Sequence, residues 1–144
     1  MNYYNYLFEV GESYNNEAAC VLSAISFLTR IPSVKMPSHG RCHFQLNTFL
    51  NSELLRINNL MGVTTQFSSR RFDEIPFLGA PLVLKVVNPM TLSFYYLTLF
   101  DFYEGAFVTG NPLTGTIDYY LPDKLASIWL SGECVFVYRN ILAS

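Results

Sequence analysis

The chain has 144 residues, 51% of them apolar, 16% aromatic and only 14% charged, with a formal net charge of −2. That length gives one domain with room for a core that needs neither metal nor disulfide. The weak, slightly acidic field has no basic stripe and argues against a nucleic-acid binder; the low charge leaves apolar surface for a partner.

The first segment, residues 1–11, is rich in Tyr, Phe and Val and predicts an extended arm or edge strand that ends at Gly11. Asn15 or Asn16 then caps a helix with Glu17 in its first turn, followed by the small and apolar run "AACVLSAISFL". A helix apolar nearly all round belongs in the domain centre. Pro32 and Pro37 break the chain into a loop. From Phe44 to Met61, apolar residues recur at helical spacing around Asn51-Ser52-Glu53, a second cap signal, which predicts two short helices. The helical half thus covers residues 12–62.

The sheet half, residues 63–140, changes period. "VTTQFSS" reads as a strand and "RRFDEIPFLG" as a loop or single turn. "PLVLKVV", "FYYLTLFDF", "GAFVTG", "TGTIDYYL" and "ECVFVYR" are five further strand-like runs separated by turn residues. One short helix, Pro122 to Trp129, interrupts the last pair, with Pro at the first turn where a missing N–H costs little. Helices first and an antiparallel sheet of about five strands afterwards make an α+β fold in a single domain, residues 1–144.

No stretch reads as a membrane span. Pro89 to Phe100 is the longest nearly uncharged run and is too short, and too rich in Tyr and Thr. "MNYYNYLFEV" lacks the basic start and apolar run of a signal peptide. Cys20, Cys42 and Cys134 form no CxxC pair and no metal-ligand spacing, so neither a metal nor a cofactor is expected.

Chemistry rests on few residues. Cys20 is a nucleophile by one reading and a small buried residue of an apolar helix by the blander one. His39 and His43 are the only histidines and the only candidates to activate it. Alternation on the strand from Phe94 sets Tyr95, Leu97 and Leu99 on one face and Phe94, Tyr96 and Thr98 on the other. Tyr95 and Tyr96 form a stacking platform by one reading and simply pack by the default one, since a strand apolar on both faces is usually internal, and the N-terminal "NYYNY" is a candidate contact surface. Trp129 reads as a core anchor.

Four stretches resemble the bacteriocin-processing cysteine peptidases, the papain-like domains that remove double-glycine leaders at the front of some export ABC transporters. "EAACVLSAISFLTR" is similar to the family's nucleophile helix, with Cys20 at the catalytic cysteine. "GAPLVLKV" is similar to the strand before the catalytic hairpin, and "YYLTLFDFYEGAFVTGNPLTG" to the hairpin from its His to its Asp-Pro-x-x-Gly turn. "LASIWLSGECVFVY" resembles the closing segment. The resemblance implies the papain-like fold, with the catalytic elements on one helix and one hairpin.

The departures fall on the chemistry. Tyr95 stands at the general-base position and Asn111 at the carboxylate that would orient it. "SYNN" replaces the stretch that holds the oxyanion Gln. A tyrosine cannot take a thiol proton at neutral pH and return it to a leaving amine. The expectation is a catalytically inactive peptidase-like domain, not an enzyme, that binds a protein or peptide partner through Tyr95, Tyr96, Asn15 and Asn16. Degenerate domains of this kind occur on type I transporters and in the periplasmic part of the type II secretion ATPase, which implies a secretion or export setting. A periplasmic or membrane-associated place within a longer parent protein or complex goes with that setting. The rival expectation is an active thiol hydrolase using Cys20 with His39 or His43; a homodimer is a further partner to consider.

Overall fold

In the computed structural model the described residues are 1–9, 16–36, 52–77 and 81–140. Among them three α-helices, α1 (Asn16–Thr29), α2 (Ser52–Met61) and α3 (Pro122–Ile128), accompany six strands: β1 (Val63–Ser69), β2 (Leu82–Val87), β3 (Phe94–Tyr103), β4 (Ala106–Asn111), β5 (Thr116–Tyr120) and β6 (Trp129–Arg139). All strand pairs are antiparallel, in the order β1-β6-β2-β3-β4-β5. The sheet therefore has six strands instead of about five: "VTTQFSS" joins it at one edge beside the last strand of the chain. The first of the two helices expected between Phe44 and Met61 lies outside the described residues; the second is α2.

α1 is the axle of the fold. Every residue from Ala18 to Phe27 is buried, because small and apolar side chains face outward on all sides. Phe8, Met36, Ile57, Val63, Val83, Val135 and Val137 close around it on one sheet face. Its two core hydroxyls are satisfied within reach: Ser23 Oγ donates to Ala19 O at 2.7 Å and accepts from Phe8 N at 2.9 Å, and Ser26 Oγ donates to Ile31 O at 2.5 Å. Arg30 leaves the helix in the left-handed region (φ 60°), and Pro32 prevents continuation. The opposite sheet face packs Leu82, Leu84, Leu97, Leu99, Phe107 and Phe136 on Leu125 and Ile128 of α3, with Phe72 and Trp129 alongside. Trp129 thus anchors this second layer, its Nε1 donating to Glu133 O at 2.8 Å.

The opening arm is not a strand. Tyr3–Tyr6 forms a 3-10 helix whose Asn2 side chain accepts from Tyr4 N. Tyr3 stacks against Phe27 and Phe100, and Tyr6 sets its edge on Phe27. Asn at the cap and three bulky rings that need a partner favour this turn over extension, because the rings reach the end of α1 only when the backbone coils. Most of the aromatic surface expected to meet a partner is spent here; Tyr4 alone of the three tyrosines stands 54% exposed.

The hairpin β3–β4 turns through Glu104 (φ 52°) and Gly105 (φ 80°), the two positive values that match the twist of a two-residue hairpin. β6 carries a demanding glycine, crowded by backbone. Gly132 has φ 71°, and a Cβ there would meet Arg70 O at 2.5 Å.

Candidate functional site

The first turn of α1 is fastened to β3 by an amide. In β2–β3 the backbone pair Asn88–Ser93 continues the register Val87↔Phe94, so alternate residues of β3 bond β2 and Tyr96 turns its N–H and C=O the other way, towards β4. The β4 register, Thr98↔Gly110, would set Pro112 against Tyr96, and proline has no N–H to give. Asn16 fills the gap. Its Oδ1 accepts from Tyr96 N at 2.5 Å and its Nδ2 donates to Tyr96 O at 3.2 Å, as a neighbouring strand would. The same Nδ2 lies 3.8 Å from Cys20 Sγ. One turn on, Thr98 Oγ1 donates to Cys20 O at 2.9 Å.

Cys20 is fully enclosed by these contacts, with 0% of its surface exposed. Burial pushes its thiol well above the ordinary range, Thr98 pulls slightly the other way, and the Glu17 carboxylate adds to the rise. The blander of the two readings of Cys20 describes its surroundings.

Tyr95 does not face Cys20. It packs on the opposite sheet face with Leu97, Leu99, Tyr120 and the α3 layer, and its hydroxyl pairs with that of Tyr120. Burial raises both phenols, Tyr120 to about 12. Asn111, whose strand parity is that of Phe107 on the Tyr95 face, spends its side chain on the turn after β4 by accepting from Leu113 N at 3.0 Å. The placement of Tyr95 and Asn111 at the base and carboxylate positions beside Cys20, which the resemblance implies, is therefore corrected: a sheet lies between. The alternation was right, but the face that α1 covers is that of Tyr96 and Thr98. Asn15, Cys42, His39 and His43 lie outside the described residues. Cys134, buried in the α3 layer, directs its thiol to Ser68 O at 3.6 Å.

Tyr96 does border an open groove. A cavity of about 600 Å³ runs over the α1 face of the sheet beside the first turn of the helix. Its walls include Glu17, Tyr96, Val83, Lys85, Glu133 and Phe67, with Val135 and Ser69 between them. Burial and the Glu17 carboxylate, to which the hydroxyl donates, raise the Tyr96 phenol to about 12. Lys85 Nζ stands 3.8 Å from Glu133 Oε2 and 5.2 Å from the Phe94 ring centre. The lining is thus apolar in its floor, with two carboxylates and one ammonium at its rim. Tyr96 and Asn16 were legible as binding candidates. Phe67, Lys85 and Glu133 were not, because they gather from three strands distant in sequence; their one signal is charge and exposed ring standing in otherwise apolar strands. Among the described residues no three His, Cys, Asp or Glu side chains converge as a metal site, and no helix is long and apolar enough to cross a membrane.

No protein-family model matches the chain, and no curated protein matches it. Among solved structures it is similar to the peptidase domain of Streptococcus mutans ComA, with a TM-score of 0.53 at 12% identity over 92% of this chain and 98% of that one. The same domain in complex with a small-molecule inhibitor gives a TM-score of 0.55 at 14% identity over the same shares. A periplasmic domain of the EpsAB fusion protein of the Vibrio vulnificus type II secretion system aligns with 54% of this chain at 20% identity and a TM-score of 0.45, and the chain covers 33% of that one. At these identities the likeness to the ComA domain is one of fold, the α+β peptidase-domain arrangement that the sequence motifs imply.

Proposed function

We propose that this chain is a peptidase-like domain without peptidase chemistry, which holds a segment of another polypeptide in the groove beside α1 as part of a secretion or export apparatus. The observation that carries the proposal is the contrast between thiol and groove. Cys20 is sealed, its pKa driven up by burial, while the groove one residue's reach away stays open and mixed in chemistry. A thiolate nucleophile needs the reverse, a low pKa and access to substrate. Of the positions that would hold base and orienting carboxylate by resemblance, Tyr95 packs in the other layer and Asn111 spends its side chain on the turn after β4. The export setting rests on the motif resemblance, and a place in the periplasm or at a membrane through a longer parent follows from the same resemblance.

The test is turnover. Incubated with a fluorogenic double-glycine leader peptide, the protein releases no product, and Cys20→Ala binds the intact peptide as the parent does. Hydrolysis that disappears in Cys20→Ala would instead establish a live thiol enzyme.

A further inference from the structure

The two outer edges of the sheet differ in one respect. On β5, the outward Ile117 N–H donates to Tyr4 Oη at 3.3 Å, so the N-terminal 3-10 helix guards that edge. On β1, no such guard stands among the described residues. Asn140 N donates to Gly62 O at 2.8 Å and Arg70 N to Gly132 O at 3.0 Å, bracketing the β1–β6 ladder. These two pairs share the register Val63↔Arg139 to Ser69↔Glu133, so residues 64, 66 and 68 bond β6. Val63, Thr65, Phe67 and Ser69 therefore turn both backbone groups outward, and among the described residues none of these groups has a backbone partner. The strand runs seven residues in unbroken register, with no charge and no proline. Natural edges usually carry such guards because unpaired ones recruit other strands.

The same four residues place their side chains on the α1 face, where Phe67 (61% exposed) and Ser69 form the rim of the groove. Resting on the groove reading above, we infer that an extended peptide segment joins the free edge of β1 as a seventh, antiparallel strand, setting an apolar side chain beside Phe67 and a basic one beside Ser69. Cross-strand neighbours share a face, so both side chains of the incoming strand turn towards the groove. The apolar one covers the Phe67 ring. The basic one passes over the small Ser69 to Glu133, its partner on β6, whose side chain is 53% exposed. Two strand spacings are about 10 Å, within the joint reach of a lysine and a glutamate. The charge matches, since among the described residues the rim holds two carboxylates, Glu17 and Glu133, and one ammonium, Lys85. Antiparallel entry is the more stable pairing for an edge of this pattern.

The probe is acetyl-Lys-Thr-Val-Thr-Val-Thr-amide, titrated into the ¹⁵N-labelled full chain. The amides of Thr65, Phe67 and Ser69 shift and gain exchange protection. N-methylation of the two valines weakens binding about tenfold or more, as does Thr65→Pro, which removes an outward N–H and leaves the β6 ladder whole. Glutamate in place of the peptide's lysine weakens it about threefold or more. Three results overturn the inference. Shifts confined to Val83, Lys85 and Tyr96, with Thr65→Pro and the N-methylated peptide binding normally, would leave the groove reading standing without strand addition. No shift at about 1 mM peptide would remove the edge as a docking site. A dimer that forms without peptide and is broken by Thr65→Pro would assign the edge to a second copy of the chain.

Discussion

Replacing Asn16 by Ala removes the one side chain that completes β3 at Tyr96. Two hydrogen bonds go, Tyr96 N to Oδ1 and Nδ2 to Tyr96 O, each worth about 1 kcal/mol net, and no strand stands ready to take them over. Tyr96 is half-buried, so water limits the further penalty for the groups left unpaired, and the expected cost stays at about 2 kcal/mol. For 144 residues the unfolding entropy is about 0.3 kcal/mol per kelvin, which converts that cost into a fall in Tm of about 7 °C. The amide also lids the thiol, so alkylation of Cys20 should speed up in Asn16→Ala. The rate is measured with Cys42 and Cys134 replaced by Ser, because only the local opening of the first α1 turn then exposes sulfur. Asn16→Asp keeps the acceptor for Tyr96 N but sets a second oxygen against Tyr96 O. Its Tm should fall between those of the parent and Asn16→Ala. A Tm within about 2 °C of the parent, with Cys20 alkylation unchanged, would show that the amide does not fasten α1 to β3.

The sheet face of each tyrosine gives a second test: Tyr96→His should lower the Cys20 pKa, read by pH-dependent alkylation, whereas Tyr95→His with Asn111→Asp should leave it unmoved. A drop in the double variant would place Tyr95 on the wrong face. Alkaline stability follows from Tyr3, Tyr96 and Tyr120, each raised from 10.0 to about 12. The folded state holds these protons more tightly than the unfolded chain, so their contribution is whole below pH 10 and lost as pH rises towards about 12. Tyr3→Phe, which keeps the stacking, should flatten that decline in a chemical-denaturation series, and an identical slope would refute the assignment. Gly132→Ala meets both a left-handed backbone and the Arg70 carbonyl, and should cost about 2–3 kcal/mol in urea unfolding, with a smaller loss arguing that β6 relaxes there.

Local signals placed the elements. Asn-Glu before a small apolar run started α1, Glu104-Gly105 closed the hairpin, and Pro122 opened α3, each because one or two residues decide the geometry. The arm was misread because Tyr and Val content suggests extension, while the stacking of Tyr3 and Tyr6 on Phe27 decides the coil. The site failed at a similar point. Alternation separates Tyr95 from Tyr96 but does not say which face α1 covers; that depends on the register of β2 and β6, whose strands lie some fifty residues apart in the chain. Motif spacing along the hairpin carried the fold and stopped short of the chemistry.

Among the described residues the sheet is held at β5 by the Tyr4 contact to Ile117 and is unpaired at β1, which gives it one preferred place for a further strand. A strand accepted at β1, peptide or copy, occupies that edge, and an antiparallel pairing of two such molecules through β1 would leave their β5 edges, each with its Ile117 N–H held by Tyr4, facing solvent. Growth beyond the pair would have to displace that contact. The N-terminal turn, through Tyr4, thereby opposes pairing at β5 while the opposite edge stays open to a partner strand.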